Sequence, residues 1–374
     1  MAHAQHTAPA KAFRGRRTMR AGIATAAALS AAFGVAACNR GSSSDSAASG
    51  GSSPIGVVLI TKDSTNPFFV AMQKGAKADA AKNNVKLTVA SGKQEGDDQG
   101  QITAIEDAIA RGDKGILITP MSTGVNAAMK KARDAGLYVI ALDTPPDPIE
   151  TVDITFATDN REAGKLDGQW AASTLDGKAA TIALLDLFSD KIVSVDYDRD
   201  QGFLEGMGID VKDPKKNGDE AKTGKYTGGK GGDYTIVCNE PGLGAEDKGR
   251  TAMETCLSKS DGINVVYTIN EPAAAGAYQA LKSQGKEKGV LIVSVDGGCT
   301  GVKNVQAGII GATSQQYPLK MAALGVDAGV NYAKAGKKVS GYTDTGVTLI
   351  TDKAKAGVDS KDTKFGMDNC WGTK

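Results

Sequence analysis

Residues 55–83 read IGVVLITKDSTNPFFVAMQKGAKADAAKN. The opening IGVVLI is an apolar run of strand length, and the stretch from Pro67 onward has a helical pattern. A strand therefore ends and a helix begins around Asn66-Pro67. In an open α/β sheet such a junction faces the ligand crevice. Phe68 and Phe69 stand there side by side, in a chain of which only 5% is aromatic. They read either as core filling or, for at least one ring, as a surface on which a ligand stacks.

The same alternation continues to the C-terminus. Strands are predicted at IGVVLI, KLTVA, GILIT, YVIAL, ITFAT, TIALLDL, YTIVCN, VVYTI, LIVSV, GATSQ and TGVTLIT, with helical stretches such as DQGQITAIEDAIARG between most of them. This pattern predicts an α/β chain with parallel sheets covered by helices on both faces. From Ser53 the chain is too long for one such sheet, so two doubly wound lobes are expected. The Pro-rich DTPPDPIETVD (Asp143 to Asp153) marks the end of the first lobe, and the polar, Gly/Lys-rich stretch from Gly206 to Asp233 reads as a surface loop of the second.

The N-terminus lies outside this pattern. KAFRGRRTMR is basic, AGIATAAALSAAFGVAA is small and apolar, and Cys38 follows. Residues 1–37 read as a secretory signal rather than as part of the fold. The run is short and Ala-rich, which disfavours a spanning helix. After Cys38 the Gly/Ser-rich stretch reads as a flexible tether over 38–53.

Composition excludes several function classes. A formal net charge of +1 argues against a nucleic-acid groove, which requires a basic excess. The only histidines are His3 and His6, so a chain cut near Cys38 has no Ser-His-Asp, Cys-His or His-based metal chemistry. GKYTGGKG (Gly224 to Gly231) imitates a phosphate loop but lacks the hydroxyl residue after Lys230. Asp196, Asp198 and Asp200 alternate like a calcium loop, but the Gly falls one place late and no closing Glu follows; acids at a helix N-terminus read equally well. No metal, cofactor or enzyme is expected.

Of five cysteines, four remain if Cys38 is modified, and an oxidising compartment lets them pair. Cys299 follows a strand and Cys370 sits in a tail free to reach it, which favours Cys299–Cys370. The remaining pair, Cys238–Cys256, is disfavoured. Cys238 lies near a strand end and Cys256 about three turns down the next helix, roughly 15 Å away at 1.5 Å per residue.

The order of several blocks carries a resemblance. TNPFF, ALDTP, FATDN, YTINEPAAAGAY, IVSVDGG and ATSQQYP follow one another as in the ribose-type (cluster B) periplasmic sugar-binding proteins of ABC importers. The wording of ALDTPPDP, VDGGCTGVKNV and GATSQQYP resembles the fructose-binding members most. VAAC (Val35 to Cys38) resembles a bacterial lipobox, which implies lipid attachment at Cys38. The resemblance implies the type I periplasmic-binding-protein fold: two lobes joined by a three-segment hinge, one of 54–157 plus 317–345, the other of 158–316 plus 346–374.

It also implies sugar contacts at Asn66, Phe68, Phe69, Asp143, Arg199, Asn270, Asp296 and Gln316. These residue types suit a sugar. Aromatic rings cover its C–H faces, and Asp, Arg, Asn and Gln serve its hydroxyls. Taken singly, Asp143 and Asp296 also read as turn residues and Asn270 as a helix cap. Two positions depart from the ribose pattern: Thr144 where an arginine is usual, and Gly244 where some members carry an aromatic. Asp63 or Lys62 is a candidate to compensate. The function implied is a monomeric extracytoplasmic lipoprotein, lipid-anchored to the outer face of the cytoplasmic membrane. It would bind a monosaccharide, fructose first, and deliver it to the membrane subunits of an ABC importer. A sugar sensor signalling to a membrane receptor would use the same pocket.

Overall fold

The structure, a computed structural model, describes residues 54–373. The expected signal, the lipidation site Cys38 and the tether lie outside the described residues. The chain opens with β1 (Ile55–Thr61), α1 (Pro67–Lys82), β2 (Val85–Ser91), α2 (Asp98–Arg111), β3 (Gly115–Ile118), α3 (Asn126–Asp134), β4 (Tyr138–Leu142) and β5 (Ile154–Ala157). It then builds a second layer system from α4 (Asn160–Leu175), β6 (Ala180–Asp186), α5 (Ser194–Met207), β7 (Thr223–Tyr226), β8 (Gly232–Pro241) and α6 (Glu246–Lys259). β9 (Val265–Thr268), α7 (Glu271–Ser283), β10 (Leu291–Asp296), α8 (Cys299–Gln306) and β11 (Ala312–Gln315) complete most of it. The chain returns for α9 (Pro318–Ala335) and β12 (Gly341–Asp344), then crosses back for β13 (Thr348–Ile350) and α10 (Thr363–Asn369).

Two sheets result. The first has the order β12-β5-β4-β3-β1-β2 and the second β13-β11-β10-β9-β6-β8-β7. All pairings are parallel except β7 with β8 and β11 with β13. The chain passes between the sheets three times, through residues 158–159, 316–317 and 345–347.

Each sheet is apolar on both faces because its central strands alternate between two cores. Val57 and Leu59 of β1 pack with Phe68 and Met72 of α1, while Val58 and Ile60 face Ile105 and Ala108 of α2. In the second lobe Ile182 and Leu184 face one core, and Ala183 and Leu185 the other. A parallel sheet buried on both faces is what a continuous apolar run encodes.

Three expectations need correction. The stretch read as a loop from Gly206 to Asp233 holds the end of α5, all of β7 and the start of β8. β12 was also not expected. Both missed strands, TGKY and GYTD, are short edge strands, exposed apart from the buried Tyr226, and carry no apolar run. The third concerns Cys238–Cys256, which is a disulfide with a Cα–Cα distance of 5.5 Å. β8 runs three residues past Cys238 to Pro241 before the chain turns into α6, so the helix descends from higher up and brings Cys256 level with Cys238. Cys299–Cys370 is also bridged, with Cα atoms 4.9 Å apart. The phosphate-loop look-alike is β7 and its turn, and the three alternating aspartates lie inside α5.

Candidate functional site

Loops at the C-terminal ends of the strands in one sheet touch those of the other. Ser194 donates its hydroxyl to the Pro145 carbonyl, Thr123 N–H donates to the Ile192 carbonyl, and Lys191 pairs with Asp98 at 2.7 Å. Lys215 pairs with Asp147 at 2.9 Å. The lobes are closed on this side. A cavity of about 1,110 Å³ opens between them on the other, lined among others by Asn66, Glu95, Gly244, Asp296 and Trp371. A shallower hollow of about 630 Å³ around Asn126 and Lys338 lies elsewhere and holds none of the predicted residues.

The predicted residues sit at strand ends and helix starts. Asp143 directly follows β4, Asp296 ends β10, Gln316 follows β11, and Asn66 and Asn270 cap α1 and α7. Asp143 and Asp296 have φ values of +64° and +144°, backbone conformations that side chains seldom adopt and that concentrate at functional sites.

Arg199 is the hub. Its Nε donates to Asn160 Oδ1 at 2.7 Å, its Nη1 to the Ile269 carbonyl at 3.1 Å, and its Nη2 stands 3.7 Å from Asp143 Oδ1. Asn160 in turn donates to the Asp143 carbonyl. This placement depends on how closely α4 and α5 cross. Gly164 and Gly168 of α4 face Gly202 and Gly206 of α5. A Cβ on Gly164 would lie 2.0 Å from the Arg199 carbonyl oxygen, and one on Gly202 2.2 Å from that of Arg161. Only glycine lets the two backbones approach so far.

Asp296 accepts from Gln316 Nε2 at 2.9 Å, while Gln316 Oε1 is buried with no protein partner. Burial pushes Asp296 up to about 7; Arg199 and Gln316 oppose this, and Asp143 adds to it. The turn after Asp296 is held by Glu271, which accepts from Gly297 and Gly298 N–H and from Thr313. Burial also raises Glu95 to about 7, against the pull of Lys62 at 3.5 Å.

Other predicted residues are more committed to structure. Both ends of the Asn270 amide are engaged: Oδ1 accepts from Ala273 N–H and Nδ2 donates to the Gly244 carbonyl. Asn66 Oδ1 caps α1, and the residue lines the cavity. Phe68 and Phe69 are 3% and 5% exposed and meet edge to face at 5.5 Å, within the first lobe's core. Thr144 donates its hydroxyl to Asp143 Oδ2 at 2.7 Å, filling locally what a longer residue would reach from that position. Asp63 accepts three hydrogen bonds through one oxygen from Thr65 and Asn66, so it shapes the turn into α1.

Sequence reasoning missed Glu95, Glu271, Asn160 and Trp371. Trp371 was the most accessible of these: it adjoins Cys370, whose partner Cys299 lies three residues past Asp296. The Trp371 ring meets Phe68 edge-on at 5.4 Å, and its Nε1 donates to the Gln316 carbonyl at 3.0 Å.

Two doubly wound lobes, three crossings and a polar cleft at the strand ends define a two-lobe binding protein, and comparison with known chains agrees. Residues 57–338 match the periplasmic binding protein domain, so the chain belongs to that family and has its type I fold. The ribose import binding protein RbsB of Escherichia coli K12 is 27% identical over 295 residues, covering 79% of this chain and 90% of its own. The galactofuranose-binding protein YtfQ of the same organism is 29% identical over 317 residues, covering 82% and 92%. A crystal structure of a galactofuranose binding protein aligns with TM-score 0.69 at 26% identity, covering 84% of this chain and 98% of that one. These relatives are binding proteins, not enzymes.

Proposed function

We propose that this chain is the extracytoplasmic substrate-binding lipoprotein of an ABC sugar importer, and that it closes on a monosaccharide between its lobes. The observation that carries this reading is the set Asp143, Arg199, Asp296 and Gln316. It comes from both lobes and is 4% exposed or less; Arg199 stands 3.7 Å from Asp143, Gln316 donates to Asp296, and Asp296 lines the cavity. Carboxylates accept from hydroxyl pairs, the guanidinium donates a rigid fork, and the amide does both. Relatives named for ribose and galactofuranose support a sugar as the ligand.

Fructose remains the first candidate, from the wording of the blocks around Asp143, Asp296 and Gln316. Thr144 is bonded to Asp143 rather than reaching out. Gly244, with φ +60°, adds no side chain to the cavity. Both leave room that a ribose pocket would fill. Asn66, Phe68, Phe69 and Asn270 shape the site, the last mainly by fixing the loop at Gly244.

Closure follows from contacts that exist only when the lobes meet. A sugar held by Asp143 on one lobe and by Arg199 and Asp296 on the other binds the closed state better, and only such a difference shifts the equilibrium. The hinge would be the three crossings, with lobes of 54–157 plus 317–345 and 158–316 plus 346–374. A lipid on Cys38 would hold the protein, as a monomer, at the outer face of the membrane beside the importer. A monosaccharide panel read by thermal shift tests the reading: a ligand that binds only the folded state raises the melting temperature. Mass analysis of membrane-extracted protein for a lipid on Cys38 tests the anchor.

A further inference from the structure

The C-terminal tail belongs to two lobes at once. Cys370 is bridged to Cys299 at the start of α8, and the Trp371 carbonyl accepts from Cys299 N–H at 2.9 Å, so the tail is fastened to the second lobe. The Trp371 ring nevertheless packs into the first lobe's apolar cluster, against Phe68 at an interplanar angle of 81°. Its Nε1 holds the carbonyl of Gln316, the residue at a crossing whose side chain grips Asp296. Trp371 also lines the cavity that Asn66 and Asp296 line. A tail that served only to cap the second lobe would bury its ring in that lobe.

We infer that Trp371 is a specificity-determining residue of the ligand site: the disulfide-held tail supplies an aromatic wall that fixes Phe68 and meets the apolar C–H face of the bound sugar. This rests on the sugar-binding reading above. Trp371 lines the cavity, and Phe68, 3% exposed in the first lobe's core, meets it edge-on from behind, the arrangement aromatic pairs prefer. A ring fixed in one attitude admits one orientation of a sugar's C–H face and refuses others, so it selects among sugars as well as adding contact area. The staple keeps the ring in place at little entropic cost on binding.

The test is a monosaccharide panel (fructose, ribose, allose, galactose, glucose, myo-inositol) titrated into the unaltered protein and into Trp371→Ala, Trp371→Phe and Cys370→Ser. Trp371→Ala should weaken the preferred sugar at least tenfold and narrow its lead over the others. Trp371→Phe should restore most of that lead, and Cys370→Ser should fall between. The protein has two tryptophans, and the other, Trp170, is buried and bonded to the Lys353 carbonyl in the second lobe. A sugar-dependent change in tryptophan emission should therefore persist in Trp170→Phe and vanish in Trp371→Phe. Unchanged affinity and unchanged sugar order in Trp371→Ala would overturn the inference, as would a uniform weakening of every sugar that phenylalanine does not reverse. If no sugar binds the unaltered protein, the functional reading itself falls and this inference with it.

Discussion

Arg199 of the second lobe and Asp143 of the first stand 3.7 Å apart across the cleft, with about 5% of each side chain exposed. No hydrogen bond joins them directly; Arg199 is aligned by Asn160 and Ile269, and Asp143 by Thr144. Each retains polar capacity toward a third party. A buried pair held this way is weak evidence for stability. Replacing Arg199 by Ala should weaken sugar binding by about 1.5–3 kcal/mol, the usual range for a hydrogen bond to a charged group. Calorimetric titration checks it, and Arg199→Lys should recover only part, because a point charge cannot reproduce the fork.

The α4–α5 crossing makes a second prediction. Gly202→Ala places a methyl against the Arg161 carbonyl, and Gly164→Ala against that of Arg199. Overpacking of this kind costs about 1–3 kcal/mol. It should also displace Arg199, so sugar affinity and melting temperature fall together. Gly262→Ala, whose methyl would meet only a serine hydroxyl at 3.9 Å, should leave both unchanged.

The two disulfides close loops of different size, with sequence separations of 18 and 71. Loop-closure entropy assigns them about 3 and about 4 kcal/mol. The Cys238→Ala/Cys256→Ala pair should lower stability by about 2–4 kcal/mol in denaturant titration while leaving sugar affinity intact, since this bridge lies away from the cleft. An affinity loss equal to that of Cys370→Ser would contradict this separation.

Acid should move stability and affinity in opposite directions. Glu95 is held near 7 by burial, above the ordinary carboxylate value of about 4.3. Between these values the folded chain binds more protons than the unfolded one, so stability falls as pH rises through that window and levels off above about 7. Asp200, also raised to about 7 by burial, adds to the same slope. The unliganded protein should therefore melt higher at pH 5.5 than at pH 8, with a smaller difference in Glu95→Gln. Asp296, raised to about 7 by burial, takes up a proton over the same range; if it holds sugar hydroxyls as proposed, it loses charge-assisted bonds and affinity drops on acidification. In Asp296→Asn the affinity should be low and less dependent on pH.

How far the sequence could be read depended on which residues encode a feature alone. The central strands were legible because burial on both faces demands continuous apolar runs, as in Val57 to Ile60. β7 and β12 were not, since an edge strand with exposed side chains obeys no such pattern. Asp143 and Asp296 were found through the ordered blocks and Arg199 through the resemblance they carry, and the fold brings the three together. Asn270 shows the limit of residue type: both ends of its amide are bonded to backbone groups that only the folded chain reveals. For Trp371 the sequence offered only its neighbour Cys370 and the bridge to Cys299, not its packing. Its position depends on a bridge 71 residues long in sequence and on contacts with a lobe to which its tether does not belong.

The most direct test of the central claim is calorimetric titration of monosaccharides into the purified protein, the Arg199→Ala variant and the Asp296→Ala variant in parallel. The account predicts that at least one monosaccharide, fructose first, binds the unaltered protein with one site and that both variants lose most of the affinity. Binding that survives both substitutions, or no binding by any monosaccharide, would contradict a sugar site between the lobes.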